Sequence, residues 1–329
     1  MEPESAFRRL LTGSSAAIAA TRDKAPARLD ALAAHLPPKW RRPRRLLLAG
    51  AALLALVALI ITTRQPAPLP RHPEPGTTVF PLGGNQVVLR LAHSTGSVNL
   101  HSGPGGQVSI TESRNGITDA INTSYRQQGD VITVNVSVQN GLYDATWVDF
   151  NVAVPQDASA TVAVAAGTVR ATGLTGNLAL QDTNGSIWVT NASGAIALQT
   201  DSGSINTSRV SGQVSASTNN GTITTVSTRL RGSPLMQAQN GTINFHGSLA
   251  PGCNAVFRNA NGATGVTLPR GSSVLVDARA RSGSINSGFS SLRVASHAGG
   301  RVAHGQVGPD AAARLSIQTM SGSINLNQG

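Results

Sequence analysis

Cysteine is nearly missing from this sequence: Cys253 stands alone in 329 residues. No disulfide can therefore close within the chain, and no cysteine-rich metal site can be built. Aromatic residues make up only 3% and charged residues 12%. A helical bundle draws on Leu, Lys and Glu in quantity. Here lysine is confined to Lys24 and Lys39, so a bundle is excluded. Low charge also argues against a disordered chain, which usually carries much more. The seven histidines, at 35, 72, 93, 101, 246, 297 and 304, never fall in an HxH or HxxxH spacing. No GxSxG or Walker-type run is present either, so neither a nucleophile elbow nor a phosphate-cradling loop is expected.

What the chain does hold is Gly, Ser, Thr, Asn and small β-branched residues. That composition suits many short strands joined by tight turns. The net charge of +11 is unevenly spread: residues 1–45 hold ten Lys/Arg against four Asp/Glu, and the rest sixteen Arg against eleven acids. A pI near 11.4 raises the question of nucleic acid. The basic cluster, however, abuts an apolar segment, and no later Arg run is interleaved with aromatics. Nucleic acid is not expected as a partner.

The apolar segment is Leu46–Ile61, LLLAGAALLALVALII. With Thr62 and Thr63 it would extend about 27 Å as a helix, close to the roughly 30 Å of a hydrocarbon core. It is apolar on every face, so a membrane span over residues 46–63 is expected, with the lipid bilayer as its partner. Arg41, Arg42, Arg44 and Arg45 precede the span; only Arg64 and Arg71 follow closely. Positive residues stay inside, so residues 1–45 are expected as a cytoplasmic tail and the C-terminal part outside. Within that tail, Ser5–Ala20 and Ala27–Leu36 have helical character, bounded by Pro26, Pro37 and Pro38. Residues 64–76, RQPAPLPRHPEPG, form a Pro-rich, semi-extended spacer.

From Thr77 onward the pattern is strand. Gln86–Leu91, Val131–Val138 and Val148–Val154 alternate or run apolar between Gly, Pro, Asn and Asp. Glycines then fall at 167, 176, 185, 194, 203, 212 and 221, nine residues apart each time. Two residues after each stands a branched aliphatic: Val169, Leu178, Ile187, Ile196, Ile205, Val214, Ile223. Four after stands an apolar residue or Thr. Positions one and three after are mostly small or polar. This is period-two alternation interrupted by turns, the mark of a solenoid. Asn184-Gly185, Ser202-Gly203 and Asn220-Gly221 alternate with different groups at 176, 194 and 212, so the full unit is eighteen residues with two strands per coil. The fold class expected for 77–329 is all-β, a single-stranded parallel β-solenoid. Coils stack about 4.8 Å apart, with aliphatic ladders inside and Gly supplying positive φ at the turns. The motif returns at Asn240–Ile243, Ser282–Ile285 and Ser321–Ile324.

The run VDFNVAVP (Val148–Pro155), Gly167-Thr-Val, Leu174–Leu178 and the Asn/Ser-Gly-Ser/Thr-Ile steps resemble the bacterial DUF4097 family, adhesin-named β-strand repeats also called the toast-rack domain. LSIQTMSGSINL (Leu315–Leu326) fits that family's usual end. The resemblance covers residues 77–329 and implies adhesion as a role, with no agreed site residues. The family often has Asp after the repeat glycine; here Ser204, Ser284 and Ser323 stand there, which weakens any acidic-ligand or cation role the resemblance would imply.

Catalytic β-solenoids use paired carboxylates. Asp182 and Asp201 are nineteen residues apart and are expected in turns about one coil apart. Turn Asp is common for backbone bonding, so no catalytic pair is expected. Calcium-binding nonapeptide repeats need GGxGxD, and the turns here lack it. No catalytic residue, metal or cofactor is therefore expected. Trp188, three after Gly185, falls on the outward phase and is the candidate binding residue. The more ordinary expectation for it is packing beneath the Thr77–Pro155 segments or against a neighbouring face. The reading is a membrane-anchored, non-catalytic binding or structural module with an unidentified envelope ligand. The alternative is a regulatory envelope protein that signals through residues 1–45.

Overall fold

A computed structural model describes residues 76–83, 87–138, 146–297 and 299–329, all within a compact unit, Leu69–Gly329. The expected tail (1–45), span (46–63) and nearly all of the spacer (64–76) lie outside the described residues. Among those described, no helix is long and apolar enough to cross a membrane. The only helical element described is a single 3-10 turn at Thr118–Ala120. All other regular structure is strand, in one nineteen-stranded sheet.

Its centre is a parallel stack of β7 (Ser159–Thr172), β8 (Leu178–Thr190), β9 (Ser193–Ser208), β10 (Ser211–Leu230) and β11 (Leu235–Leu249). The register places Gly167, Gly185, Gly203, Gly221 and Gly241 side by side. From β7 to β10 each step is therefore the eighteen-residue unit. Val169, Ile187, Ile205, Ile223 and Ile243 stack as one buried row. Val162, Leu180, Leu198, Ala216 and Met236 form another on the other arm. Both arms feed a single hydrophobic core, because alternate side chains along each arm must point to one side.

The two corners of each coil differ. At Gly185, Gly203 and Gly221 the strand runs through the bend. At the opposite corner the chain turns sharply, and a left-handed residue recurs every eighteen: Gly173, Asn191, Arg209 and Ser227. Positive φ explains the first corner only in part: Gly96, Gly167, Gly203, Gly262, Gly283 and Gly322 have it, and Gly185, Gly221 and Gly241 do not. A Cβ on Gly185, Gly203 or Gly221 would collide with the carbonyl oxygen of the glycine on the neighbouring coil, yet only Gly203 of the three has positive φ. Close approach of coil to coil is what demands glycine there.

The chain does not stack its coils in sequence order. β2 (Val88–Ser102) is first in the chain among the parallel strands, yet it sits between β7 and a layer made of β5 (Val131–Val138) and β6 (Thr146–Val154). At the other end, β12 (Asn254–Asn261) and β13 (Thr264–Leu268) follow β11. The last strands, β18 (Ala313–Ser321) and β19 (Ile324–Gln328), then slot in parallel. Outside them lie β14 (Val274–Ser282) and β15 (Ile285–Ser287). Both ends close with antiparallel pairs. β1 (Thr77–Pro81) pairs with β3 (Gln107–Gly116), which pairs with β6, while β4 (Ile121–Gln128) pairs with β5. At the far end β17 (Gly300–Val307) pairs with β14, and β16 (Arg293–His297) pairs with β17. Such ends interrupt the continuing parallel edge of the stack.

Candidate functional site

Residues on the outer face of the arm after Gly185 come from the phase opposite to the aliphatic rows. Trp188 stands there, 44% exposed, and does not pack beneath the Thr77–Pro155 segments. On the coil before it, Arg170 lies in register, and its guanidinium sits over the indole, 5.9 Å from the ring centroid. Such a contact is favourable, by about 0.5–1 kcal/mol at an exposed site. The same row continues as Asn151, Asn99, Arg170, Trp188 and Asn206. A parallel row runs Ser97, Thr168, Ser186, Ser204. Hydrogen bonds cross between coils within these rows: Asn99 Nδ2 donates to Asn151 Oδ1 at 3.0 Å, and the hydroxyls of Ser186 and Ser204 are 3.0 Å apart. A second tryptophan, Trp147 on β6, is 45% exposed. Sequence reasoning missed it, although Trp147-Val148-Asp149-Phe150 alternates plainly and puts the indole opposite the buried Val148 and Phe150.

The two carboxylates considered for catalysis separate. Asp201 is exposed and accepts a hydrogen bond from Asn219 Nδ2. Asp182 corrects the turn expectation: it lies within β8, fully buried, in register with Val164 and Thr200. Neither carboxylate oxygen has a hydrogen-bond partner. Burial pushes its pKa up to about 6; the Asn184 amide draws it back, at a geometry short of a hydrogen bond. The two acids thus face opposite sides of the sheet and do not form a pair. The inner-corner row to which Asp182 belongs, three residues before each corner glycine, also holds His93, Thr200, Thr218, Asn259 and Thr319, all buried. Burial lowers the His93 pKa below its ordinary value, and the ring packs edge-on against Phe150 at 5.4 Å.

The tightest polar constellation is elsewhere. Buried Glu112 accepts hydrogen bonds from Arg114 Nε at 2.6 Å, Thr123 Oγ1 at 2.6 Å and the Tyr125 hydroxyl at 2.5 Å. Burial alone would raise its pKa; these donors outweigh it and hold the carboxyl below its usual range. Tyr125 is raised, by burial first and by Glu112 second. The cluster ties β3 to β4 and braces the end layer. Its signal in the sequence is phase: Val108, Ile110 and Glu112 alternate on one face.

Among the described residues, no group of three or more His, Cys, Asp or Glu gathers as a metal site would require. Cys253 is buried, its thiol pushed up to about 11 by that burial. A depression of about 230 Å³ at Pro269, Ser272, Phe289 and Gln328 has no titratable side chain in its lining.

The fold and the outer face define a class: all-β proteins of stacked, in-register repeats that present polar rows to solvent. Comparison with known proteins adds little beyond that. No family model matches the chain, and no curated protein does. Among solved structures, a putative cell adhesion protein from Clostridium sporogenes is similar at 12% identity, covering 78% of this chain and all of that one, with a TM-score of 0.26. At that score the superposition carries no argument about function.

Proposed function

We propose that this protein is a membrane-anchored, non-catalytic binding module of the adhesin-like, toast-rack kind. In this reading residues 46–63 hold it in the bilayer, the Pro-rich residues 64–76 act as a spacer, and residues 77–329 close into a single-stranded parallel β-solenoid outside the membrane. One observation carries the binding role: a large indole stands exposed on Arg170 within in-register rows of Ser, Thr and Asn. A flat, rigid, polar surface with one aromatic anchor suits contact with an extended envelope ligand, since aromatic anchors dominate binding surfaces. The alternative, signalling through residues 1–45, rests on residues outside those described and gains no support from this site.

The test uses the full-length chain in detergent micelles as bait against solubilised envelope fractions. Captured material that is lost with Trp188→Ala, while the circular dichroism of the variant matches the parent, is the expected result. Capture that ignores the substitution removes this face from the function.

A further inference from the structure

Trp147 and Trp188 both stand on the outward phase, Trp188 on the arm after its corner glycine and Trp147 at the level of the corner, where the Val148 carbonyl lies against Gly96. Outward residues of β6 are Trp147, Asp149 and Asn151, and Asn151 leads by register through Asn99 and Arg170 to Trp188. Three strand spacings separate β6 from β8, about 14 Å, and four residues separate Trp147 from Asn151, about 13 Å. On a flat sheet the two backbone positions would be roughly 19 Å apart; the bend at Gly96 brings Trp147 to the corner edge, so the line joining them runs diagonally to that edge. Between them lie Ser97, Asn99, Thr168 and Arg170, with no exposed aliphatic side chain.

We propose, resting on the reading of Trp188 as a binding residue, that this diagonal is a subsite row for an acidic polysaccharide. The two indoles would stack on sugar rings at either end, and Arg170 would pair with a sugar carboxylate between them. Three features point to that chemistry over a protein partner. First, the centre of a protein interface is usually apolar and aromatic, whereas this patch places amides and hydroxyls between its aromatic ends, which matches a hydroxyl-rich polymer. Second, Arg170 lies on Trp188 with no carboxylate partner among the described residues, so its charge is available. The acid of the patch, Asp149, is already occupied: the Ser97 N–H and hydroxyl donate to Oδ1 and Asn115 Nδ2 donates to Oδ2. Third, residues 77–329 hold fourteen Arg against ten Asp and Glu, a small net positive charge that favours the approach of polyanions to the molecule as a whole.

The test is binding of oligogalacturonate and hyaluronan oligomers to the full-length chain, with carboxyl-reduced oligogalacturonate as the neutral counterpart, followed by calorimetry and tryptophan fluorescence. At least one acidic oligomer is expected to bind and to quench fluorescence. Trp188→Ala and Trp147→Ala should each weaken it about tenfold or more. Arg170→Gln should bring acidic affinity down to that of the neutral oligomer. If neither acidic oligomer binds, or if Trp147→Ala leaves affinity unchanged, the inference is overturned. Capture of an envelope protein that depends on Trp188 alone would overturn it too, while leaving the binding reading of this face intact.

Discussion

Asp182 occupies a place that Thr200 and Thr218 fill on the next two coils, and it is the least comfortable residue in the core. A buried carboxylate without hydrogen bonds favours its neutral form. The folded state therefore holds this proton more tightly than the unfolded chain. The resulting stability is fully present below the unfolded value of 3.8, declines as pH rises toward about 6, and is lost above it. His93, lowered by burial, acts in the opposite sense as pH falls through its range, so the informative quantity is a difference. Asp182→Asn should be more stable than the parent at pH 8 by on the order of 1–3 kcal/mol. That gain should shrink toward nothing at pH 4, as read from urea midpoints. A neighbouring pair tests the strand phase. Ile205→Asp puts an unpaired charge where the side chain is fully buried and should cost several kcal/mol. Ser204→Asp, on the outer row, should change the melting temperature little. Similar losses from both would mean that the inner and outer faces are misassigned.

At the scale of the element, the corner glycines answer to their neighbours across the stack more than to their own φ. Gly221→Ala should cost about 1–3 kcal/mol or more, because the added methyl meets backbone on the adjacent coil at a glycine without positive φ. Gly105→Ala, where a Cβ meets nothing within 4 Å, should cost almost nothing in the same melt. Much of this layer was legible beforehand. The nine-residue glycine spacing and the aliphatic residue two places on gave the coil length, the inward rows at Ile187 and Ile205, and the outward phase of Trp188. The left-handed corner residues were harder to see, since Arg209 and Ser227 are not types that announce such a backbone. The burial of Asp182 was missed because corner acids are so often turn formers. Nor could the order of the last coils be read. Ser282–Asn286 and Ser321–Asn325 carry the same five residues, SGSIN, so local pattern cannot say which one lies outermost. Long-range pairing decides that.

At the scale of the whole molecule, the membrane-anchored reading makes a plain prediction. Reporter fusions placed after Gly76 should work only as extracytoplasmic reporters, and external protease should remove the C-terminal part. A protected C-terminus would end that reading. The coil order makes another. In a simple stack, trimming the last residues removes an end coil and leaves the others paired. Here residues 313–329 lie between two other layers. A chain ending at Pro309 should lose protection in β12–β17 as a block, read by hydrogen exchange, while β7–β10 keep theirs.

The same interleaving sets a timetable for the chain. β14 and β15 take their parallel neighbours only from residues 313–329, so that third of the fold cannot be completed until those residues have emerged. Contacts that wait for the last segment close slowly. If residues 77–329 cross a membrane behind the span, beginning from their Thr77 side, their far end stays open and threadable until passage is over. It then locks with residues 313–329 held between two layers that must part before they can leave.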